Sequence, residues 1–181
     1  MRRRWIAYRA ATGSSTHRSR LPSAIKGEHI LSVNLVGTAR LLDVLQARVG
    51  FGCVGIVIAS MGAEFVHVPA DAERQLALGP VNELAAVCRQ LWEFDNPDQA
   101  YLRAKRGNQL RVEAEALRWA ERGARLLSIS LGLTSTAQGR LELKTHPQVI
   151  KVLEGTPLQG IGTPEDIAAA VEWRRHPLRV F

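Results

Sequence analysis

The run "CVGIVIAS", residues 53–60, sets the tightest limit on how this chain can fold. It is nearly all apolar, and Val54, Ile56, Val57 and Ile58 are β-branched. Its length suits a strand better than a helix. The lack of apolar–polar alternation predicts a strand buried on both faces, in a parallel sheet covered by helices. A second such run, "ARLLSISLG" at 124–132, predicts another strand ending in glycine. A third, less apolar, is "RRRWIAYRAATG", which stops at Gly13.

Helical signals lie between and after these runs. "SSTHRSRLPS" is polar and turn-rich, and Pro22 and Ser23 mark a helix start. From 25 to 49, Ile30, Val33, Leu41, Val44 and Leu45 recur at helical spacing, and "RVGFG" closes the helix with glycine. Residues 61–97 carry Pro-Ala-Asp and Gly-Pro punctuation, which predicts short helices within a long connection. From Pro97 to about Gly123 the pattern is helical, with Leu110, Ala114, Leu117 and Ala120 as its apolar stripe and Gly123 as C-cap. Residues 140–155 read as helical. "GTPEDIAAAVEWRR" has Thr163 as N-cap, Pro164 at the first position and acids in the first turn. Strands alternating with helices mean α/β with a parallel sheet. Ligands of such sheets bind at the carboxyl ends of the strands, where Gly13, Ser60 and Gly132 fall.

The 181 residues suffice for one domain with a sizeable core, and 46% hydrophobic with 23% charged residues is a globular balance. No apolar run approaches the roughly 20 residues of a spanning helix. The Arg-rich start has neither a long apolar region nor a small-residue cleavage site, so it does not read as a secretory signal. Cys53 and Cys88 are the only cysteines, too few for a disulfide framework, and a cytoplasmic setting is expected. The net charge of +7 comes from the N-terminal arm. Arg2, Arg3, Arg4, Arg9, Arg18, Arg20 and Lys26 face no acid there, and the rest of the chain holds 17 basic and 17 acidic groups. The neutral body argues against nucleic acid as the main partner. The arm is either a phosphate-contacting segment or a solvated leader.

Gly50, Gly52 and Gly55 spell G-x-G-x-x-G, but they follow a helix and open a strand. The phosphate-binding arrangement is the reverse, so these glycines belong to a turn and a strand start. Tyr101 and Lys105 sit four residues apart and share one helix face. A tyrosine with pKa about 10 is a poor base at neutral pH. A neighbouring ammonium favours the phenolate and makes the residue a usable acid/base toward an alcohol or carbonyl oxygen. The same spacing also suits a surface tyrosine beside a solvated lysine. Ser60 at a strand end either holds a carbonyl oxygen in the cleft or forms a turn. Asn34, within an otherwise apolar helical stretch, either faces solvent or holds something polar, such as a water. The five histidines and two cysteines show no metal-ligand spacing, and Ser60 lacks the G-x-S-x-G elbow of a hydrolase.

In chain order, "AATG", "VNLVGTARLL", "GIVIAS", "YLRAK", "RLLSISLGLTST" and "GTPEDIAAAVEW" resemble the segments of the short-chain dehydrogenase/reductase family, over about residues 5–175. The resemblance implies a partial doubly wound, Rossmann-like parallel sheet flanked by helices, and NAD or NADP as cofactor. It implies Tyr101 as acid/base on the oxygen of an alcohol or carbonyl substrate, and Lys105 as the group that lowers its pKa and binds the nicotinamide ribose. Ser60 would orient the substrate oxygen, and Asn34 would hold a water in a proton relay. Gly13, Gly132 and Thr136 would lie along the cofactor.

The departures are specific. The family's first strand, glycine-rich phosphate loop and ribose-selecting residue lie upstream of "AATG", so NAD cannot be told from NADP. Ala10 and Ala11 replace Asn-Asn, and Leu131 replaces the usual proline. The interval from Ser60 to Tyr101 is long, and 61–97 reads as an inserted lid or substrate loop. The expected organisation is a basic arm and first strand over 1–20, a single incomplete Rossmann-like domain over 5–175, and the insertion at 61–97. Three readings stay open: an oxidoreductase weakened in its cofactor half, a non-catalytic remnant that acts by interaction or homo-oligomerisation, and a nucleic-acid binder using the arm.

Overall fold

The computed structural model describes residues 27–93, 95–145, 147–158 and 160–175. The expected first strand, the basic arm, Gly13 and the helix start at Pro22 and Ser23 lie outside them. The described residues up to 130 form one compact unit and those from 131 a second.

In the first unit, the helix expected over 25–49 is built in three successive pieces. They are α1 (Gly27–Leu31), a π-helical turn (Ser32–Val36) and α2 (Gly37–Gln46). The backbone stays helical through the junctions, and Gly37 N–H donates to Ser32 O five residues back, the π pattern. No glycine caps α2. Instead Gly52, at φ +80°, turns the chain into the strand β1 (Val54–Ser60). A 3₁₀ turn (Met61–Phe65) follows at once. Pro69 and Gly79 then bracket α3 (Ala70–Leu78), where the Pro-Ala-Asp and Gly-Pro punctuation stands. α4 (Leu84–Leu91) leads to α5 (Pro97–Ala120), whose N-cap Asn96 accepts from the N–H groups of Asp98 and Gln99. Gly123, at φ +70°, ends that segment as expected, and β2 (Arg125–Leu131) pairs with β1. The architecture is α/β, a two-stranded parallel sheet flanked by helices, in keeping with part of a Rossmann-like fold.

Two further sequence expectations differ from what the fold shows. β1 is not buried on both faces. Val57 and Ala59 are buried on one face, while Val54, Ile56 and Ile58 on the other are only half-buried. Strand side chains alternate, and helix α5 covers one side. The stripe of α5 also lies elsewhere. Leu117 is 69% exposed, whereas Lys105, Asn108, Arg111, Glu115 and Trp119 are buried. The helix runs beneath α1, α3 and β1, so it is enclosed on several sides, and its long polar side chains reach backbone acceptors inside.

The core is continuous with this arrangement. Leu31, Leu35, Val68, Ala72, Leu76, Cys88, Ala104 and Leu110 join α1, the connection 66–91 and α5 in one apolar cluster. Leu42, Val49, Val57, Val112, Trp119, Ala124 and Leu126 form another around the sheet. Gly55 is explained by it: a β-carbon there would stand 2.7 Å from the Trp119 ring. The connection 61–97 is thus built into the core by Ala72, Leu76, Leu84 and Cys88, all fully or nearly fully buried. Arg111 fixes it further. Its guanidinium donates to Leu76 O at 3.1 Å and Gly79 O at 2.8 Å, the open carbonyls at the C-terminus of α3.

The second unit holds α6 (Ala137–Thr145), α7 (Pro147–Glu154) and α8 (Pro164–Arg175). Thr134 and Gly162 make an isolated parallel bridge. The expected N-cap of α8 is a reciprocal box: Thr163 Oγ1 accepts from Asp166 N–H, and the Asp166 carboxylate accepts from Thr163 N–H and Oγ1–H. Those bonds hold the Asp166 carboxyl below the usual carboxylate range. Among the described residues no helix is long and apolar enough to cross a membrane.

Candidate functional site

Tyr101 and Lys105 lie in the first turns of α5, which begins beyond the carboxyl end of β1. Helix periodicity stacks them, and the Lys105 Nζ sits 5.5 Å from the centroid of the Tyr101 ring. Tyr101 is half-buried and Lys105 is 1% exposed. The solvated-lysine alternative is therefore excluded by burial. Nζ donates to Ile58 O of β1 at 2.7 Å, two residues before Ser60. Burial pushes the ammonium down to about 8.

Ser60 ends β1. Its Oγ accepts from Gly62 N–H at 3.3 Å and caps the 3₁₀ turn, so it does form a turn. A hydroxyl that accepts in this way still has its own proton to donate. The turn is pressed on α5: a β-carbon at Gly62 would meet Leu102 at 2.7 Å. One turn beyond Lys105, buried Gln109 ties the 3₁₀ turn after β1 and the end of β2 to the same helix. Its Nε2 donates to Glu64 at 2.6 Å and to Ser130 Oγ at 2.9 Å. Arg106 beside it pairs with Glu73 of α3 at 3.1 Å.

Asn34 is buried in the π-helical turn, so the solvent-facing alternative falls. Its Nδ2 donates to Ile30 O at 3.0 Å. Its main-chain carbonyl accepts from Thr38 Oγ1 at 2.7 Å and from Asn108 Nδ2 at 2.8 Å. Two donors thus sit on that oxygen, one for each lone pair. The structure ties Asn34 to α5 through Asn108, 74 residues away in sequence.

Gly132 and Thr136 belong to the second unit. Gly132 O accepts from Thr134 Oγ1, and Thr136 Oγ1 accepts from Gly139 N–H at the start of α6. Gly13 lies outside the described residues. Among the described residues no three His, Cys, Asp or Glu side chains group as metal ligands.

Asn108 and Gln109 were not singled out from the sequence, yet both are buried on the helix face that Lys105 shares. The signal was present in the helical period: 105, 108, 109 and 112 continue the face that Tyr101 opens.

A tyrosine and a buried lysine one turn apart thus stand on a helix packed against a strand of a partial Rossmann-like α/β layer. The chain is similar in sequence to two proteins that carry dehydrogenase names, one of them a short-chain dehydrogenase/reductase. It is 27% identical over 151 residues to the short-chain dehydrogenase/reductase bsc3 of Alternaria brassicicola, a match covering 81% of this chain and 55% of that protein. It is 32% identical over 73 residues to glucose 1-dehydrogenase 2 of Bacillus subtilis (strain 168), covering 40% of this chain and 28% of that one. The chain therefore spans about half the length of bsc3, and less of the glucose dehydrogenase. No family model matches the chain, and no solved structure matches it.

Proposed function

We propose that the chain is an NAD(P)-dependent oxidoreductase of the short-chain dehydrogenase/reductase type, acting in the cytoplasm on a small alcohol or carbonyl compound. The observation that carries this reading is the Lys105 ammonium, buried beside the Tyr101 ring and held on Ile58 O. In it, Tyr101 passes a proton to or from the substrate oxygen. Lys105 stabilises the phenolate by its charge, so that Tyr101 works near neutral pH. Ser60, with its proton free to donate, orients that oxygen. Asn34 has its carbonyl taken by Thr38 and Asn108, and its part is to hold the helix that carries Asn108 and Lys105.

A nicotinamide bound here would accept or supply the hydride. The residues fit its ribose end: an ammonium has three donors, and among the described residues Lys105 spends one on Ile58 O. The family resemblance also implies Gly13, Gly132 and Thr136 as cofactor contacts. Among the described residues no glycine-rich turn leads from a strand into a helix, so no site for the pyrophosphate is assigned.

Titrating the full chain with NADH and with NADPH, by quenching of nucleotide fluorescence, tests the reading. Saturable binding with alcohol oxidation, lost by about 10²–10⁴-fold in Tyr101→Phe, is expected. A chain that binds neither nucleotide overturns the reading, and self-association by that chain would then favour a non-catalytic interaction protein.

A further inference from the structure

Ser60 is gripped from one ridge of α5. Leu102, Lys105 and Gln109 follow one another at helical spacing, so they lie along the same side of the helix. Each meets a residue just before or just after Ser60. Lys105 Nζ donates to Ile58 O at 2.7 Å. Leu102 packs so closely on Gly62 that a β-carbon there would stand 2.7 Å from it. Gln109 Nε2 donates to Glu64 at 2.6 Å. Within these holds the Ser60 hydroxyl accepts from Gly62 N–H at 3.3 Å. Ile58, Gly62 and Glu64 are thus fixed on the helix that carries Tyr101.

The Gln109 hold has a single geometry. The residue is 3% exposed, and its amide can sit only one way round. The two Nε2 protons go to the Glu64 carboxylate and to Ser130 Oγ at 2.9 Å. Oε1 accepts from Arg106 Nη1 at 3.3 Å. The flipped amide would turn its oxygen on the carboxylate and its nitrogen on the guanidinium. Glu64 has a weaker second tie. Its side chain is 59% exposed and 3.9 Å from Arg106, whose closer partner is Glu73 at 3.1 Å. An exposed ion pair of that length contributes little, whereas a charge-assisted bond from a buried amide is among the stronger kinds. The turn Met61–Phe65 is 3₁₀, with poor hydrogen-bond geometry of its own, so side-chain ties decide how firmly it stays closed.

We propose that Gln109 is a positioning residue for Ser60. By clasping Glu64 it keeps the turn Met61–Phe65 closed on α5, and so fixes Ser60 relative to the helix that carries Tyr101 and Lys105. With the clasp open, the turn keeps only the Gly62 bond and the Leu102 contact, and it can swing about Ser60. The clasp is a property of the folded chain. Its consequence for turnover rests on the oxidoreductase reading, in which Ser60 orients the substrate oxygen.

Amide hydrogen exchange of the full chain, followed by NMR, tests the clasp. Gly62 N–H reports on the Ser60 end of the turn, and Val66 N–H, bonded to Ala63 O, on the other. Gln109→Leu should speed exchange at both by about tenfold, while Leu42 inside α2 keeps its wild-type rate. Glu64→Ala removes the partner from an exposed position and should do the same. The exchanged pair, Gln109→Glu with Glu64→Gln, rebuilds the bond in reverse and should restore the wild-type rates. Wild-type exchange at Gly62 in the single variants, an acceleration shared by Leu42, or no recovery in the exchanged pair overturns the proposal. Should Gln109→Leu not fold, Glu64→Ala and the exchanged pair still decide. Turnover is the second readout. Gln109→Leu should lower kcat by about tenfold beside an intact Ser60 and add nothing in Ser60→Ala, because it acts through that hydroxyl. Losses that add independently would overturn the positioning role. A wild-type chain without turnover would refute the oxidoreductase reading alone, since the exchange rates still decide the clasp.

Discussion

Lys105 shows how a single side chain can be legible in kind and not in state. The spacing from Tyr101 put the two on one face. It did not say that the ammonium is buried, or that Ile58 O is its acceptor. Those facts have a consequence for stability. The folded chain releases the Lys105 proton near pH 8, while the unfolded chain keeps it to about 10.5. Between those values the unfolded state binds more protons, so stability rises with pH there. The rise should approach about 3 kcal/mol in denaturant titrations from pH 8 to 10.5, and Lys105→Met should remove it. A flat profile in the wild type would refute the burial of a charged lysine. Cys88 is the second residue-scale case. Burial pushes its thiol up to about 12, so the thiolate is scarce. A thiol reagent at pH 8 should leave Cys88 unlabelled in the native chain and label it fully in denaturant, as mass spectrometry of its peptide would show.

The helices that the sequence located best are those with strong end signals. Asn96 caps α5, Thr163 caps α8, and Pro69 and Gly79 bracket α3. These signals act within four residues, so neighbours in sequence suffice to read them. The faces of the helices were less legible. The α5 stripe chosen by hydrophobicity includes exposed Leu117 and omits buried Arg111, because a helix packed on several sides buries polar residues that find partners. Arg111 is the test at this scale. Arg111→Ala should destabilise the chain by about 2–4 kcal/mol in chemical denaturation, leaving two carbonyls of α3 unmatched and a void on α5. Arg111→Lys should restore only part of it, since a point ammonium cannot span both carbonyls as the planar guanidinium does. Full stability in Arg111→Ala would show that α3 does not depend on this contact.

For the whole molecule, the charge distribution makes its own prediction. The chain carries +7, but without residues 1–20 it would hold 18 basic against 17 acidic groups. Any salt-dependent affinity for duplex DNA should therefore vanish on deleting residues 1–20, as electrophoretic mobility shifts across a salt series would reveal. Affinity that survives the deletion would point to a basic surface elsewhere.

By itself, the sequence determined the alternation of strands and helices, Ser60 at a strand end, and Tyr101 and Lys105 on one face, since each follows from chemistry or periodicity over a few residues. Only the tertiary structure decided what those residues touch. Lys105 meets Ile58 across 47 positions, Arg111 meets Gly79 across 32, and Asn108 takes the Asn34 carbonyl across 74. Burial leaves each polar group in need of a partner, and packing chooses that partner from distant segments that no local pattern brings together.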